Sequence, residues 1–135
     1  MCGFIVSSLT IPQTAYEKIQ NRGPDSTNNA TIGNIHFTHF LLHLTGEIVT
    51  QPFQKNNIVC IFNGEIYNYK EINAEARSDV ESIIDSYQNY GDDFVQKLDG
   101  EFTFVLIDFE KRYMYVASDV FKTKPLFYAI NENFS

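Results

Sequence analysis

Cys2 directly follows Met1, and its position alone suggests covalent chemistry. A side chain this small behind an initiator methionine permits removal of the methionine, which would leave a thiol and a free α-amine on one residue. An α-amine with an ordinary pKa near ~8 can act, often through a water, as general base toward its own thiol. Nucleophile and base then need no histidine between them. Gly3 is read as leaving the space beside the thiol open to a substrate.

Two further groups could serve the same reaction. In Phe62-Asn63-Gly64-Glu65-Ile66-Tyr67-Asn68 a side-chain amide stands beside a glycine N–H. Two donors converging on one point are what a tetrahedral oxyanion needs, and losing one typically costs ~3 kcal/mol of transition-state stabilisation. Asn-Gly is also a common turn dipeptide, and the chain is expected to turn there. In Arg77-Ser78-Asp79 the carboxylate of Asp79 opens a helix, where it complements the helix dipole and could also hold a substrate ammonium group.

Elements that could position these residues follow from periodicity. Gly3 to Ser7 is an apolar run expected to form a central strand, and Pro12 suits the start of a helix over Thr14 to Gln20. Alternation from Thr31 to Leu44 around Gly33-Asn34 predicts a hairpin, and Ile58 to Phe62 a buried strand. From Ser78, the residues Val80, Ile83, Ile84 and Tyr87 repeat at helical spacing, with Ser78 and Glu81 placed as a capping box. A second short helix is expected around Phe94, Val95 and Leu98. Strands follow over Phe102–Ile107 and Tyr113–Val116, with a last one at Leu126-Phe127-Tyr128. Strands grouped on either side of a helical block indicate an α+β layered domain.

Composition narrows the function. The 135 residues are 44% apolar and 15% aromatic, with twelve Phe and no Trp, which is the make-up of one globular domain. A net charge of −7 leaves no basic stripe for phosphates, so no nucleic-acid partner is expected. Neither a membrane-spanning run nor a signal peptide is visible, and with two cysteines a reducing cytoplasm is the expected compartment. Cys60, inside Ile58-Val59-Cys60-Ile61-Phe62, reads as a buried filler. His36, His39 and His43 lack a carboxylate or second cysteine at ligand spacing, so no metal is expected, and no cofactor.

Taken together, Met1-Cys2-Gly3-Phe4, Arg22-Gly23-Pro24-Asp25, Phe62-Asn63-Gly64-Glu65-Ile66-Tyr67-Asn68-Tyr69, Ser78-Asp79, Leu98-Asp99-Gly100-Glu101-Phe102 and Ser118-Asp119 through Lys124-Pro125-Leu126-Phe127-Tyr128 occur in an order that resembles the glutaminase domain of class II glutamine amidotransferases, closest to that of asparagine synthetases. The resemblance spans almost the whole chain, residues 1–135 as a single domain, shortened between Asn68 and Arg77. It implies an N-terminal nucleophile hydrolase fold, a four-layer αββα sandwich with two antiparallel sheets between helices. It implies that Cys2 attacks the side-chain amide of glutamine to give a thioester and ammonia, that Asn63 and Gly64 form the oxyanion hole, that Asp79 with Gly64-Glu65 holds the substrate α-amine, and that Arg22 shapes the loop at the nucleophile.

Three departures stand out. Where the family usually carries an arginine that grips the glutamine α-carboxylate, this chain has Leu41, with His43 two residues on as a candidate substitute on the same strand face. The Asn68–Arg77 stretch is trimmed. Thr123 stands where relatives have a glycine-containing turn. The sequence also lacks a phosphate-binding Gly-rich loop, so the ATP-dependent synthetase that would receive the ammonia is expected as a separate or missing partner. The alternative is a non-catalytic or altered-substrate module that binds and regulates such a synthetase.

Overall fold

In the computed structural model, which describes residues 2–44 and 46–130, strand alternation sorts the apolar side chains into two cores. On β5 (Ile58–Ile66), Val59 and Ile61 point one way and Ile58, Cys60, Phe62 and Ile66 the other. The first pair meets Phe37, Val105 and Ile107, with Phe4, Val6, Ile32 and Ile35 around them, to form the core between two sheets. The second set packs under Val80, Ile83, Ile84 and Tyr87 of α3 (Asp79–Tyr90), together with Phe94, Phe102, Phe104 and Leu106.

One sheet has the order β1-β3-β2, made of β1 (Gly3–Ser7), β2 (Ser26–Ile32) and β3 (Ile35–Leu41). The other runs β4-β5-β6-β7, adding β4 (Phe53–Lys55), β6 (Gly100–Asp108) and β7 (Tyr113–Ser118). Every pairing is antiparallel. On the outer face of the first sheet lies α1 (Gln13–Ile19), where the Tyr16 ring meets Phe40 edge-on and its hydroxyl joins Thr38 and Asn29. The layers are therefore α1, sheet, sheet and α3: an α+β sandwich with the layering that the resemblance implies.

The hairpin turns at Gly33, whose φ of +59° suits glycine. Both termini of α1 and the start of α3 fall within a residue of the sequence reading. The segment around Phe94 is a 3-10 helix over Gly91–Lys97, and α2 (Tyr69–Ile72) is a single turn in the trimmed stretch.

Four expectations need correction. β1 is an edge strand; its apolar character comes from being covered on both faces, by α1 and by the second sheet, rather than from pairing on both sides. The Ser78–Glu81 capping box does not form. Glu81 instead accepts from the Arg77 backbone N–H at 2.8 Å and from its guanidinium, while the Ser78 hydroxyl donates to Asp79. Leu126-Phe127-Tyr128 is not a strand, since Phe127 and Tyr128 are 91% and 80% exposed and lack a neighbouring strand to pair with. Gly3 does not open a substrate space: a Cβ there would come within 2.5 Å of Ile19, so the missing side chain lets α1 approach β1.

The Ser118-Asp119 turn has a clear mechanical role. Asp119 is buried and accepts the N–H groups of Phe102, Phe121 and Thr123, plus the Thr123 hydroxyl at 2.6 Å. Thr123 thus closes the turn with a side-chain bond that glycine could not supply. Burial alone would raise this carboxyl, but the Thr123 hydroxyl and the Phe102 and Phe121 N–H groups hold it below its ordinary value. A carboxylate depressed in the folded state stabilises above its unfolded pKa, and the contribution disappears as pH falls through the lower folded value. Asp119→Asn is expected to cost roughly 2–4 kcal/mol at neutral pH. In urea unfolding, the gap to wild type should narrow as pH drops below 3.8.

Candidate active site

Cys2 sits one residue before β1, and β1 pairs with β3 through Gly3↔Phe40. Continuing that register by one step puts Leu41 opposite Cys2, and alternation places Cys2 on the face of Phe4 and Val6, toward the second sheet. The thiol is clasped by one peptide: the Leu42 N–H donates to Sγ at 3.4 Å, and the thiol donates to the Leu42 carbonyl at 3.5 Å. Arg22, in the 3-10 turn after α1, donates from Nε to the Cys2 carbonyl at 3.3 Å. The arginine therefore contacts the Cys2 backbone.

Gly23 explains how that turn gets so close. A Cβ there would fall 2.1 Å from the Phe40 carbonyl oxygen, so only glycine lets the chain cross against β3. Beyond it, the Asp25 N–H donates to the Leu41 carbonyl at 3.0 Å and its carboxylate accepts the His43 N–H at 2.9 Å.

The facing wall is β5. Asn63 shares the face of Val59 and Ile61 and so points between the sheets. It is 4% exposed, and its Oδ1 has no hydrogen-bond partner among the described residues. The turn expected at Asn63-Gly64 is absent. β5 continues to Ile66, with Asn63 paired to Thr103 and Gly64 to Phe102. Gly64 is needed for a different reason: its φ is +140°, and a Cβ would collide with the Glu101 carbonyl at 1.9 Å.

This continuation creates the second donor. β4 ends its pairing with β5 at Cys60, so the outer edge of β5 is open beyond that residue. The Phe62 N–H on that edge goes to Gln51 Oε1 at 2.7 Å, and the Ile66 N–H goes to Asp79 Oδ2 at 3.1 Å. By strand alternation the Gly64 N–H points to the same side, between those two. Asp79, the first residue of α3, also exerts a Coulombic influence on both Cys2 and Cys60. Cys2, Leu41 and Asn63 thus face the seam between the sheets, while Asp79 lies at the open edge of β5 on the α3 side, bonded to the Ile66 N–H.

Glu65 lies on the Asn63 face, directly opposite Glu101 of β6. His43 is not carried on β3, which ends at Leu41; it is exposed, with its Nε2 3.0 Å from the Gly46 carbonyl. Strand alternation therefore gives it no place beside Leu41.

Burial raises the Cys2 thiol above its ordinary pKa, against the Leu42 backbone bond that lowers it, while the Asp79 and Asp25 charges push it further up. The thiol rests protonated and needs a base. Burial also raises the Asp79 carboxyl, with the Ile66 N–H and Ser78 hydroxyl pulling the other way. Cys60 is fully buried on the α3 side, and burial drives its thiol far above the ordinary range.

Gln51 went unnoticed in the sequence. It is 6% exposed, and besides holding Phe62 it accepts the Asn28 amide on its backbone carbonyl at 2.7 Å, so it ties β2 to β5. A glutamine before a proline in a polar loop carries no signal of this. The role of the Leu42 peptide is equally invisible, because it belongs to the backbone.

His39 faces the seam at 2% exposure, with Nε2 unpartnered among the described residues. Burial lowers its pKa from 6.5 to about 4, against the Phe62 backbone that raises it. Between those values the unfolded chain takes up a proton that the folded one refuses. Stability should therefore fall by about 1.4 kcal/mol per pH unit on acidification through that window. Urea midpoints of His39→Gln, measured across the same range, should show a visibly flatter slope.

The family model for the glutamine amidotransferase domain matches residues 1–135. The chain belongs to the glutamine amidotransferase domain family. Its curated relatives include an amidase of Gibberella zeae, chry2, 31% identical over 90% of this chain and 20% of that protein. A probable glutamine-hydrolyzing asparagine synthetase of Acanthamoeba polyphaga mimivirus is 34% identical over 85% of this chain and 24% of that protein. A glutamine-hydrolyzing asparagine synthetase of Bacillus subtilis is 34% identical over 83% and 16%. The chain thus spans about a fifth of the length of the curated relatives it matches. No helix among the described residues of this glutamine amidotransferase domain is long and apolar enough to cross a membrane.

Proposed function

We propose that residues 1–135 form a single amidotransferase domain that hydrolyses a primary side-chain amide of the glutamine type through Cys2 and releases ammonia to a synthetase partner. What supports this reading is that Cys2 and Asn63 both face the seam between the sheets, with Gly64 next to Asn63 and Asp79 bonded to the Ile66 N–H two residues on. The similar proteins, named as an amidase and as glutamine-hydrolyzing asparagine synthetases, support the reaction class and a synthetase acceptor.

Chemically, Cys2 Sγ attacks the amide carbon and its proton passes to the α-amine freed by loss of Met1. Negative charge collects on the carbonyl oxygen, where the Asn63 amide and Gly64 N–H stabilise it. The α-ammonium returns the proton to the leaving nitrogen, and ammonia departs from a Cys2 thioester. Water then cleaves the thioester to a carboxylate and restores the thiol. In this scheme the α-amine serves as the base for a thiol that burial keeps above its ordinary pKa. Glu65 and Asp79 hold the substrate amine, and Arg22 positions the Cys2 carbonyl.

The test uses protein whose intact mass shows Met1 removed. A glutamine-like electrophile should label Cys2, and competing amide substrate should slow that labelling. An unlabelled Cys2 overturns hydrolysis and favours a module that only binds a synthetase.

A further inference from the structure

We propose that His39 is a positioning residue for Asn63: one buried water, shared by the imidazole Nε2 and the Asn63 Oδ1, holds the amide with its Nδ2 toward the oxyanion. The inference rests on the amide-hydrolysis reading above and adds a residue to it.

Strand alternation puts the two side chains in one layer of the seam. Phe37 of β3 packs between the sheets, so His39, two residues on, faces the same way. Val59 and Ile61 of β5 pack against it, and Asn63 is the next residue on their face. The turn at Gly33 lies against the Phe109 ring, and the Phe109 N–H donates to the Asn57 carbonyl just ahead of β5. β3 and β5 therefore start at one end of the sandwich and run the same way. His39 enters the seam at the level of Asn63, and its ring feels the Phe62 backbone, one peptide from Asn63.

Neither group is satisfied there. His39 is 2% exposed and Asn63 is 4% exposed. Among the described residues, the buried side-chain nitrogens and oxygens without a hydrogen bond are His39 Nε2 and Asn63 Oδ1. A buried polar group left unpaired bears its full desolvation cost, so a shared partner relieves both at once. Burial keeps the ring uncharged at neutral pH, with one nitrogen a donor and the other an acceptor. The Phe62 backbone favours the protonated ring, as a carbonyl accepting from Nδ1–H does, and this leaves Nε2 as the acceptor. Asn63 Oδ1 is an acceptor too. Two acceptors cannot bond each other, but one water donates a hydrogen to each.

The bridge matters because a primary amide has two different ends. Only the Nδ2 end stabilises an oxyanion; the Oδ1 end repels it. Asn63 Nδ2 is not closed off as Oδ1 is, so the accessible end of the amide is the donor. With Oδ1 tied back toward His39, turning the amide over breaks the bridge. His39 thus acts on the oxyanion through Asn63 and needs no contact with the thiol.

Two measurements on Met1-free protein decide the matter. A crystal structure that shows ordered waters should place one within hydrogen-bond reach of both His39 Nε2 and Asn63 Oδ1. A map with ordered waters elsewhere and none joining these atoms overturns the proposal. In the second measurement, ammonia release from glutamine and alkylation of Cys2 by iodoacetamide are compared for wild type, His39→Leu and His39→Gln. Alkylation develops no oxyanion, so it reads the thiol alone. His39→Leu should lower kcat roughly tenfold or more with little change in KM or alkylation rate, and His39→Gln, which keeps an acceptor, should recover most of the loss. A kcat for His39→Leu close to wild type, or alkylation that falls in step with kcat, overturns the positioning role and leaves hydrolysis standing. No ammonia from the wild type, with Cys2 still alkylated, overturns hydrolysis and the positioning role with it.

Discussion

Cys2→Ala is expected to abolish ammonia release, by roughly 10⁴-fold or more, while leaving the fold intact. The reaction needs a bond to sulfur, and no second thiol can replace it: Cys60 is fully buried on the far side of β5. The fold survives because, among the described residues, the Cys2 side chain bonds only the Leu42 peptide and packs in neither core. A chain that retains Met1 should be as inactive as the Ala variant although its thiol is untouched, because its α-nitrogen is then a peptide amide and cannot take a proton. Ammonia release by the variant, the retained-Met1 form and the processed wild type separates a thiol requirement from an N-terminal thiol requirement. Turnover by the Met1-bearing chain would refute the α-amine as base.

Gly64→Ala should be the most damaging small substitution in the chain, with a loss of about 4 kcal/mol or more. Its Cβ would be placed 1.9 Å from the Glu101 carbonyl oxygen and 2.7 Å from Phe102 Cα, both backbone atoms of the neighbouring strand, at a φ of +140°. Relief requires β5 and β6 to separate, and these strands carry residues of both cores. Against a total stability of ~5–15 kcal/mol, that leaves little folded protein. Gly91→Ala is the matched control. It also has positive φ, +58°, with ψ −135°, but meets nothing within 4 Å, so it carries backbone strain of about 1–3 kcal/mol without a collision. Melting curves of the two variants side by side check the contrast; similar curves would show that β5 and β6 adjust easily.

The comparison of sequence with structure divides along physical lines. The β2–β3 hairpin and α3 were legible because local signals sufficed: a positive-φ Gly33 between alternating runs, and a 3.6-residue apolar repeat. A catalytic reading of Cys2 needs the distant segments Arg22-Gly23-Pro24-Asp25 and Asn63-Gly64-Glu65-Ile66-Tyr67-Asn68, since a single Cys in an apolar run carries no chemistry of its own. Asn63-Gly64 misled locally. Asn-Gly favours a turn, yet here glycine serves a strand crossing too close to its neighbour for a Cβ, and such closeness is a tertiary fact. β1 was misplaced for a related reason: an apolar pentapeptide reports covered faces and says nothing about which edges are paired. Glu81 was placed in a capping box on spacing alone, but the nearby Arg77 offered a charged partner that outcompeted the backbone amide.

Gln51 has a consequence for the shape of what can enter. Its two bonds run to Asn28 of one sheet, half-buried, and to Phe62 of the other, buried, so sliding or spreading the sheets would strand polar groups. Packed sheets lie about 10 Å apart, and a staple this close to Asn63 keeps that spacing from breathing open. On the proposed reading, the substrate therefore enters a seam whose width Gln51 holds fixed.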